Sequence, residues 1–261
     1  MPSSPVSPAS PESDLAALTR RPDYFARINE TILRLSVAPD TAAVTELLRE
    51  AVASIGADVA TWCSFVHEGG LASLRLMLAC DPRWGIEYGR HGWYTDDPWL
   101  AHARTCAEPA LGKDLPLATQ RQRDMVLAAE AFGFRSTVIV PVPAGEGLSR
   151  VGMLCVGSPT PGFFESDGFP LLRIATRSLA SELQAWWLRR MGDELRRAWN
   201  VNAEELLLLG WERQGLRSKA IAARLGTSEV AIDCRFKRVN ARLGVTGRRA
   251  AAQLAAEYGL I

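Results

Sequence analysis

The sequence predicts an α+β protein: an amino-terminal α/β/α sandwich built on a small antiparallel sheet, followed by an all-α carboxy-terminal helix-turn-helix domain. Two pairs of strand-like runs, each joined by a glycine-bearing turn, predict the sheet. Helical periodicity before, between and after them predicts the flanking layers. Three short amphipathic segments near the end, broken at Gly215 and Gly226, predict the second domain. At 261 residues and 48% hydrophobic content the chain can fill two cores.

In chain order, residues 1–20 open with a run of Pro and Ser that has neither the basic start nor the apolar core of a secretory signal, and they read as a disordered leader. Residues 21–190 read as the first domain. Tyr24 to Ile55 is helical, with Asp40 as a cap ahead of Val44, Leu47, Leu48, Ala51, Val52 and Ile55 at helical intervals, and with Gly56 as the stop. Val59–His67 and Ala72–Ala79 form a hairpin about Glu68-Gly69-Gly70, and Thr137–Val142 and Val151–Gly157 a second about Ala144–Gly147. Helices are expected over Asp124–Phe132 and Ser166–Arg190. The last of these carries Phe169, Leu172, Ile174, Leu179, Leu183, Trp186 and Trp187, more apolar surface than one packing face needs, so part of it is expected to meet a second subunit. Residues 191–202 read as a charged linker, and 203–261 as the helix-turn-helix domain.

In that domain Leu206, Leu209 and Gly210 are expected to share the inner face of the first segment. Ile221, Ala222 and Leu225 do so on the second, and Val230, Ile232, Phe236, Val239 and Leu243 on the third. Only Gly226 and Thr227 separate the second from the third, which begins near the hydroxyl cap Ser228. From Val201 onward ten Lys and Arg stand against six Asp and Glu, whereas residues 1–200 hold an acidic excess, so the whole-chain charge of +1 conceals a basic end. Ser228, Glu229, Asp233, Arg235, Lys237, Arg238 and Arg242 on the third segment, with Arg217 and Lys219 on the second, are the candidate DNA contacts. Charge alone fits a solvated helical bundle equally well.

Other classes are disfavoured. No stretch reaches the about 18 to 20 apolar residues of a membrane span, and a cytoplasmic protein is expected. The five cysteines are scattered without a CxxC pair, so no disulfide framework, zinc site or other metal site is indicated. His67, His91 and His102 belong to no HExxH or nucleophile motif, and neither an enzyme nor a cofactor is implied.

Between the hairpins Trp84, Tyr88, Trp93, Tyr94 and Trp99 crowd around Asp96-Asp97-Pro98. Large aromatic walls with a few hydrogen-bonding groups describe a small-molecule pocket, although any one of these residues could be ordinary core. The candidate ligand contacts are Trp84, Tyr88, Asp97, Trp62, Trp93, Trp99 and Cys80.

Two stretches resemble LuxR-type quorum-sensing regulators. Glu205, Leu209, Trp211, Gly215, Ile221-Ala222, Leu225, Ser228, Ile232, Leu243-Gly244-Val245, Arg248, Ala251 and Tyr258-Gly259-Leu260-Ile261 match their DNA-binding domain in order and spacing, which implies a fourth helix over Arg248–Leu260. Ala231, Asp233 and Arg235 depart from the family's Thr, Lys or Asn, and His, which bears on the target sequence rather than the fold. Trp84, Tyr88, Asp97 and Pro98 match the aromatic-acid motif of the signal-binding domain. The resemblance implies an N-acyl-homoserine lactone as ligand, with the Trp donating to the lactone carbonyl, the Asp accepting from the amide and the Tyr in the wall. It also implies a homodimer that presents two recognition helices to a near-palindromic duplex, with signal binding stabilising the DNA-competent form.

Three departures bear on the pocket. Cys80 replaces a Tyr, Gly112 a second wall Trp, and Thr137 a Gly. Loss of the indole at Gly112 is expected to enlarge the pocket. Neighbouring aromatics then fill it, or a differently shaped ligand does, or the protein is an orphan regulator that binds DNA without the lactone. A response regulator is a weaker rival, because its phosphoacceptor domain has no counterpart at the amino-terminal end.

Overall fold

The two hairpins combine into one sheet. A computed structural model of the chain describes residues 15–68, 71–145 and 147–261. Contacts divide it into two units: one runs to Ala144 and resumes at Val151–Gln184, and the other holds Gly145–Arg150 and Ala185–Ile261.

The first unit opens with α1 (Leu15–Thr19), α2 (Tyr24–Ser36) and α3 (Thr41–Ile55), then β1 (Val59–Glu68) and β2 (Leu71–Ala79). After α4 (Arg83–His91), a 3-10 turn at Trp93–Thr95 and α5 (Pro98–Thr105) come β3 (Ala110–Leu111), a 3-10 turn at Gly112–Asp114 and α6 (Gln120–Glu130). The strands β4 (Ser136–Val142) and β5 (Val151–Ser158) follow, and then the helix α7 (Phe169–Ala198), whose residues from Ala185 onward belong to the second unit. The sheet order is β2-β1-β5-β4-β3, antiparallel at each described pairing.

Local chemistry explains the boundaries. Asp40 caps α3 by accepting from the Ala43 amide at 2.9 Å, and Gly56 ends it at a φ of +87° that a side chain would resist. Thr119 and Gln122 form a reciprocal capping box, so α6 begins before the predicted Asp124. Leu15 is buried, and it and Leu18 pack against Gly56, so residues 15–19 belong to the fold rather than to a leader. Residues 1–14 of that predicted leader lie outside the described residues.

Alternation along the strands assigns two cores. Thr61, Cys63 and Phe65 on β1, with Val151, Met153 and Cys155 opposite on β5, face the side where α4, α5 and α6 contribute Trp84, Tyr88, Trp99 and Met125. Ala60, Trp62, Ser64 and Val66 face the other side, with Met77 and Leu154 flanking Trp62. There α3 packs against β1 and β2, and Gln184 of α7 lies over Gly152. Leu172, Leu179, Leu183 and Trp186 are buried, so of the apolar side chains singled out on α7 only Ile174 is largely exposed. The helix continues to Ala198, and most of the predicted linker is therefore its last turns.

The second unit contains α8 (Ala203–Arg213), α9 (Ser218–Leu225), α10 (Glu229–Leu243) and α11 (Arg248–Glu257). Its core joins Leu208, Leu209, Ile221, Ile232, Phe236, Val239, Ala251 and Ala255. Two sequence expectations are corrected. Asn202 and Glu205 form a capping box that starts α8 at Ala203 and brings Leu208 inward beside Leu209, leaving Leu206 and Gly210 half-buried. Val230 is 72% exposed, because the buried stripe Ile232, Phe236, Val239, Leu243 lies on a different azimuth of the helix. Among the described residues no helix is long and apolar enough to cross a membrane.

Candidate functional site

Trp84 and Tyr88 are four residues apart on α4 and therefore share a face. Asp97 is the N-cap of α5: its Oδ1 accepts from the Trp99 amide at 2.7 Å and the Leu100 amide at 3.3 Å, and Pro98 sets the first helical position. That cap holds the carboxylate under the sheet. Its Oδ2 accepts a hydrogen bond from the Tyr88 hydroxyl at 2.5 Å. Trp84, Tyr88, Asp97 and Trp99 surround one small hollow together with Thr61, Cys63, Leu76, Met153 and Cys155 from the strands. The space left among them is about 10 Å³, room for about one water.

A second network fixes the segment between α4 and α5. Asp96 accepts from Thr119 Oγ1 at 2.6 Å and Gln122 Nε2 at 2.9 Å, and Arg121 donates to the carbonyls of His91 and Gly92. The start of α6 thereby pins the turn that carries Trp93. His91 stacks on Trp93 with ring centres 4.7 Å apart, and Trp93 stacks on Trp84 at 5.6 Å. Phe132 and Phe134 close on Trp84 at 5.5 and 5.9 Å.

Burial dominates the electrostatics. It pushes the Asp97 carboxyl from 3.8 up to about 6, against the opposing pull of the Tyr88 hydroxyl and the two backbone amides. The Tyr88 hydroxyl is raised well above its ordinary value, first by burial and then by the Asp97 charge. Burial also raises the Cys63 and Cys155 thiols, so neutral sulfur faces the hollow.

Of the residues singled out from sequence, Trp84, Tyr88, Asp97 and Trp99 line the hollow. Trp93 stands behind Trp84, and Cys80 is one side chain away, its Sγ 3.8 Å from Thr61 Oγ1 and its thiol raised to about 11 by burial. Trp62 is on the opposite face of the sheet, because it alternates with Thr61 and Cys63, and so does not join the hollow. The strand residues Thr61, Cys63, Met153 and Cys155 escaped sequence reasoning; their period-2 spacing was the available signal. The enlargement expected at Gly112 does not occur. A β-carbon there would meet the Thr137 side chain, so the two departures from the family pattern fill one space.

In the second unit, α10 turns Glu229, Val230, Asp233, Cys234, Lys237 and Arg238 to solvent along one stripe. Ser228 is occupied as the N-cap, accepting from the Ala231 amide at 3.2 Å. Arg235 pairs with Glu204, and Arg242 with Glu205 and the Asn200 carbonyl, so both are directed to α8 and the chain before it rather than left as free surface cations. Asp233 Oδ1 accepts from Ser218 Oγ at 2.9 Å. Arg217, Lys219, Lys237 and Arg238 are exposed.

The autoinducer binding domain family model matches residues 40–178. No curated protein sequence matches the chain. Among solved structures, Escherichia coli SdiA is similar over 92% of this chain and 99% of its own, at 19% identity and TM-score 0.68. SdiA in complex with octanoyl-rac-glycerol is similar over 92% and 98%, at 18% identity and TM-score 0.67. The N-acylhomoserine lactone dependent LuxR family transcription factor CepR2 from Burkholderia cenocepacia covers 62% of this chain with 95% of its own, at 19% identity and TM-score 0.53.

Proposed function

The chain belongs to the autoinducer-binding domain family, and from that premise we propose that it is a LuxR-type transcriptional regulator, not an enzyme, whose duplex-DNA binding as a dimer is modulated by an N-acyl-homoserine lactone or a related acylated molecule. The observation that carries this reading is the convergence of Trp84, Tyr88 and Asp97 on one hollow. An indole N–H suits a carbonyl, a carboxylate suits an amide N–H, and sulfur and aliphatic side chains suit an acyl chain. A ligand larger than a water has to displace side chains there, so its binding energy includes the cost of opening this core. The basic helix-turn-helix unit supplies the output, and ligand that binds only the folded form raises the population competent for DNA.

Thermal melting and duplex binding of the full-length protein, measured with lactones of graded acyl length and with octanoyl-rac-glycerol, test the reading. A rise in both with one ligand class supports it. Constancy of both across the whole panel rejects ligand control.

A second reading is favoured by the size of the hollow and by the hydrogen bonds that Asp97 already receives from Tyr88, Trp99 and Leu100. In it the core is complete without a signal, and the protein binds DNA as an orphan regulator. Full duplex affinity in protein made without any lactone, unaltered by the panel, would identify this case.

A further inference from the structure

The exposed stripe of α10 has an unusual division of chemistry. Its first two turns present Glu229, Val230, Asp233 and Cys234, which are acceptors or apolar groups, and its cations Lys237 and Arg238 come only afterwards. Arg235, which follows Cys234 on the helix, is held by Glu204. The amino-terminal part of a recognition helix is the part that meets base edges in the major groove. There guanine offers only the acceptors N7 and O6, cytosine offers the N4 amine as a donor, and thymine offers a methyl group. A carboxylate repels the first and accepts from the second.

Asp233 is built for a fixed contact. Ser218 Oγ donates to its Oδ1 and in turn accepts from Arg248 at 2.8 Å, and Arg248 also pairs with Oδ1 at 3.9 Å, so residues of α9 and α11 orient the carboxylate through that one oxygen. Val230, 72% exposed, is the apolar side chain one turn earlier. The exposed cations Arg217, Lys219, Lys237 and Arg238 flank the acidic patch and offset its repulsion from a polyanion, which is the charge complementarity that points to a duplex.

We propose that Asp233 and Val230 set the operator sequence, Asp233 by accepting from a cytosine amine and Val230 by packing on a thymine methyl, while the flanking cations hold phosphates. This rests on the duplex-binding reading above.

Selection of bound sequences from a randomised duplex pool by the full-length protein tests it, alongside Asp233→Asn and Val230→Ser. Asn keeps an oxygen for Ser218 but adds a donor, and the asparagine amide pairs with adenine N6 and N7. The expected result is a cytosine in the wild-type half-site that becomes adenine with Asp233→Asn, a change in preference of about ten-fold or more, and a separate thymine whose enrichment falls with Val230→Ser. Superimposable base profiles, or a guanine at the Asp233-dependent position, overturn the proposal. If Asp233→Asn melts early, Val230→Ser, which alters an exposed side chain, carries the test alone. Binding of unselected duplex across a salt series separates the two levels of failure. Salt-sensitive binding with unchanged profiles overturns the base assignment only, and no duplex binding overturns the regulator reading with it.

Discussion

A β-carbon at position 112 would lie 1.9 Å from Thr137 Oγ1. Pairing of Leu111 with Val138 in the β3–β4 ladder brings Gly112 and Thr137 opposite each other, on the face that carries Ile139 and the aromatic cluster. The threonine is β-branched and 8% exposed, so it cannot easily turn away. Gly112→Trp is therefore expected to destabilise the sensor unit by about 1–3 kcal/mol through overpacking. Adding Thr137→Gly should recover part of that loss, with a coupling of about 0.5–3 kcal/mol in a double-mutant cycle read by urea denaturation. Strictly additive costs would mean that the two positions do not compete for the same space.

The raised Asp97 carboxyl has a defined pH signature. Its folded value of about 6 exceeds the ordinary 3.8, so between those limits the folded state binds more protons than the unfolded one. Stability from this group is therefore full below about pH 4 and falls as pH rises to about 6, by an amount on the order of 3 kcal/mol. Asp97→Asn cannot titrate. The stability of wild type relative to this variant is expected to decline across that window and to level off above it, in denaturation curves taken at matched pH. A flat difference would place Asp97 in a wetter setting than the cap of α5.

Much of this architecture was legible in local sequence, because caps and stops are local events. Asp40, Gly56, Gly226 and Ser228 mark element ends that the structure reproduces. What was hidden depends on distant partners. Arg235 and Arg242 read as free cations until Glu204 and Glu205 on another helix are seen to hold them. Val230 is apolar like Ile232 and Val239, and only the azimuth of α10 turns it outward. Trp62 shares its residue type with the pocket tryptophans, but strand alternation sends it to the other core. The helices α4 and α5 are short and interrupted in pattern by Gly85 and Pro98, so the aromatic cluster was visible as composition before it was visible as structure.

Tyr88 is the donor that satisfies Asp97 Oδ2. Tyr88→Phe preserves the ring and removes the donor, leaving a buried carboxylate oxygen short of one hydrogen bond, a loss of about 1–3 kcal/mol. A lower melting temperature is expected, together with a further rise of the Asp97 carboxyl, since the hydroxyl opposes the effect of burial. If an acylated amide binds beside Asp97, its N–H can supply the missing donor, so lactones should stabilise this variant more than wild type. Equal stabilisation of both, by differential scanning fluorimetry, would put the amide elsewhere.

The pairing of two arginines of α10 separates two kinds of cation on one helix. Lys237 and Arg238 are exposed, whereas Arg235 and Arg242 are held by Glu204 and Glu205 of α8. In duplex binding, each phosphate contact steepens the dependence of affinity on salt by about 0.9 in log–log slope. Lys237→Ala and Arg238→Ala are each expected to weaken binding to all sequences and to flatten that slope by about this amount. Arg235→Ala and Arg242→Ala should instead lower the unfolding midpoint of the helical unit, because they cut ties between α8 and α10, and leave the slope near that of wild type. Fluorescence anisotropy across a salt series measures both quantities. A slope flattened as much by Arg235→Ala as by Lys237→Ala would show that Arg235 abandons Glu204 for the phosphate backbone when DNA is bound.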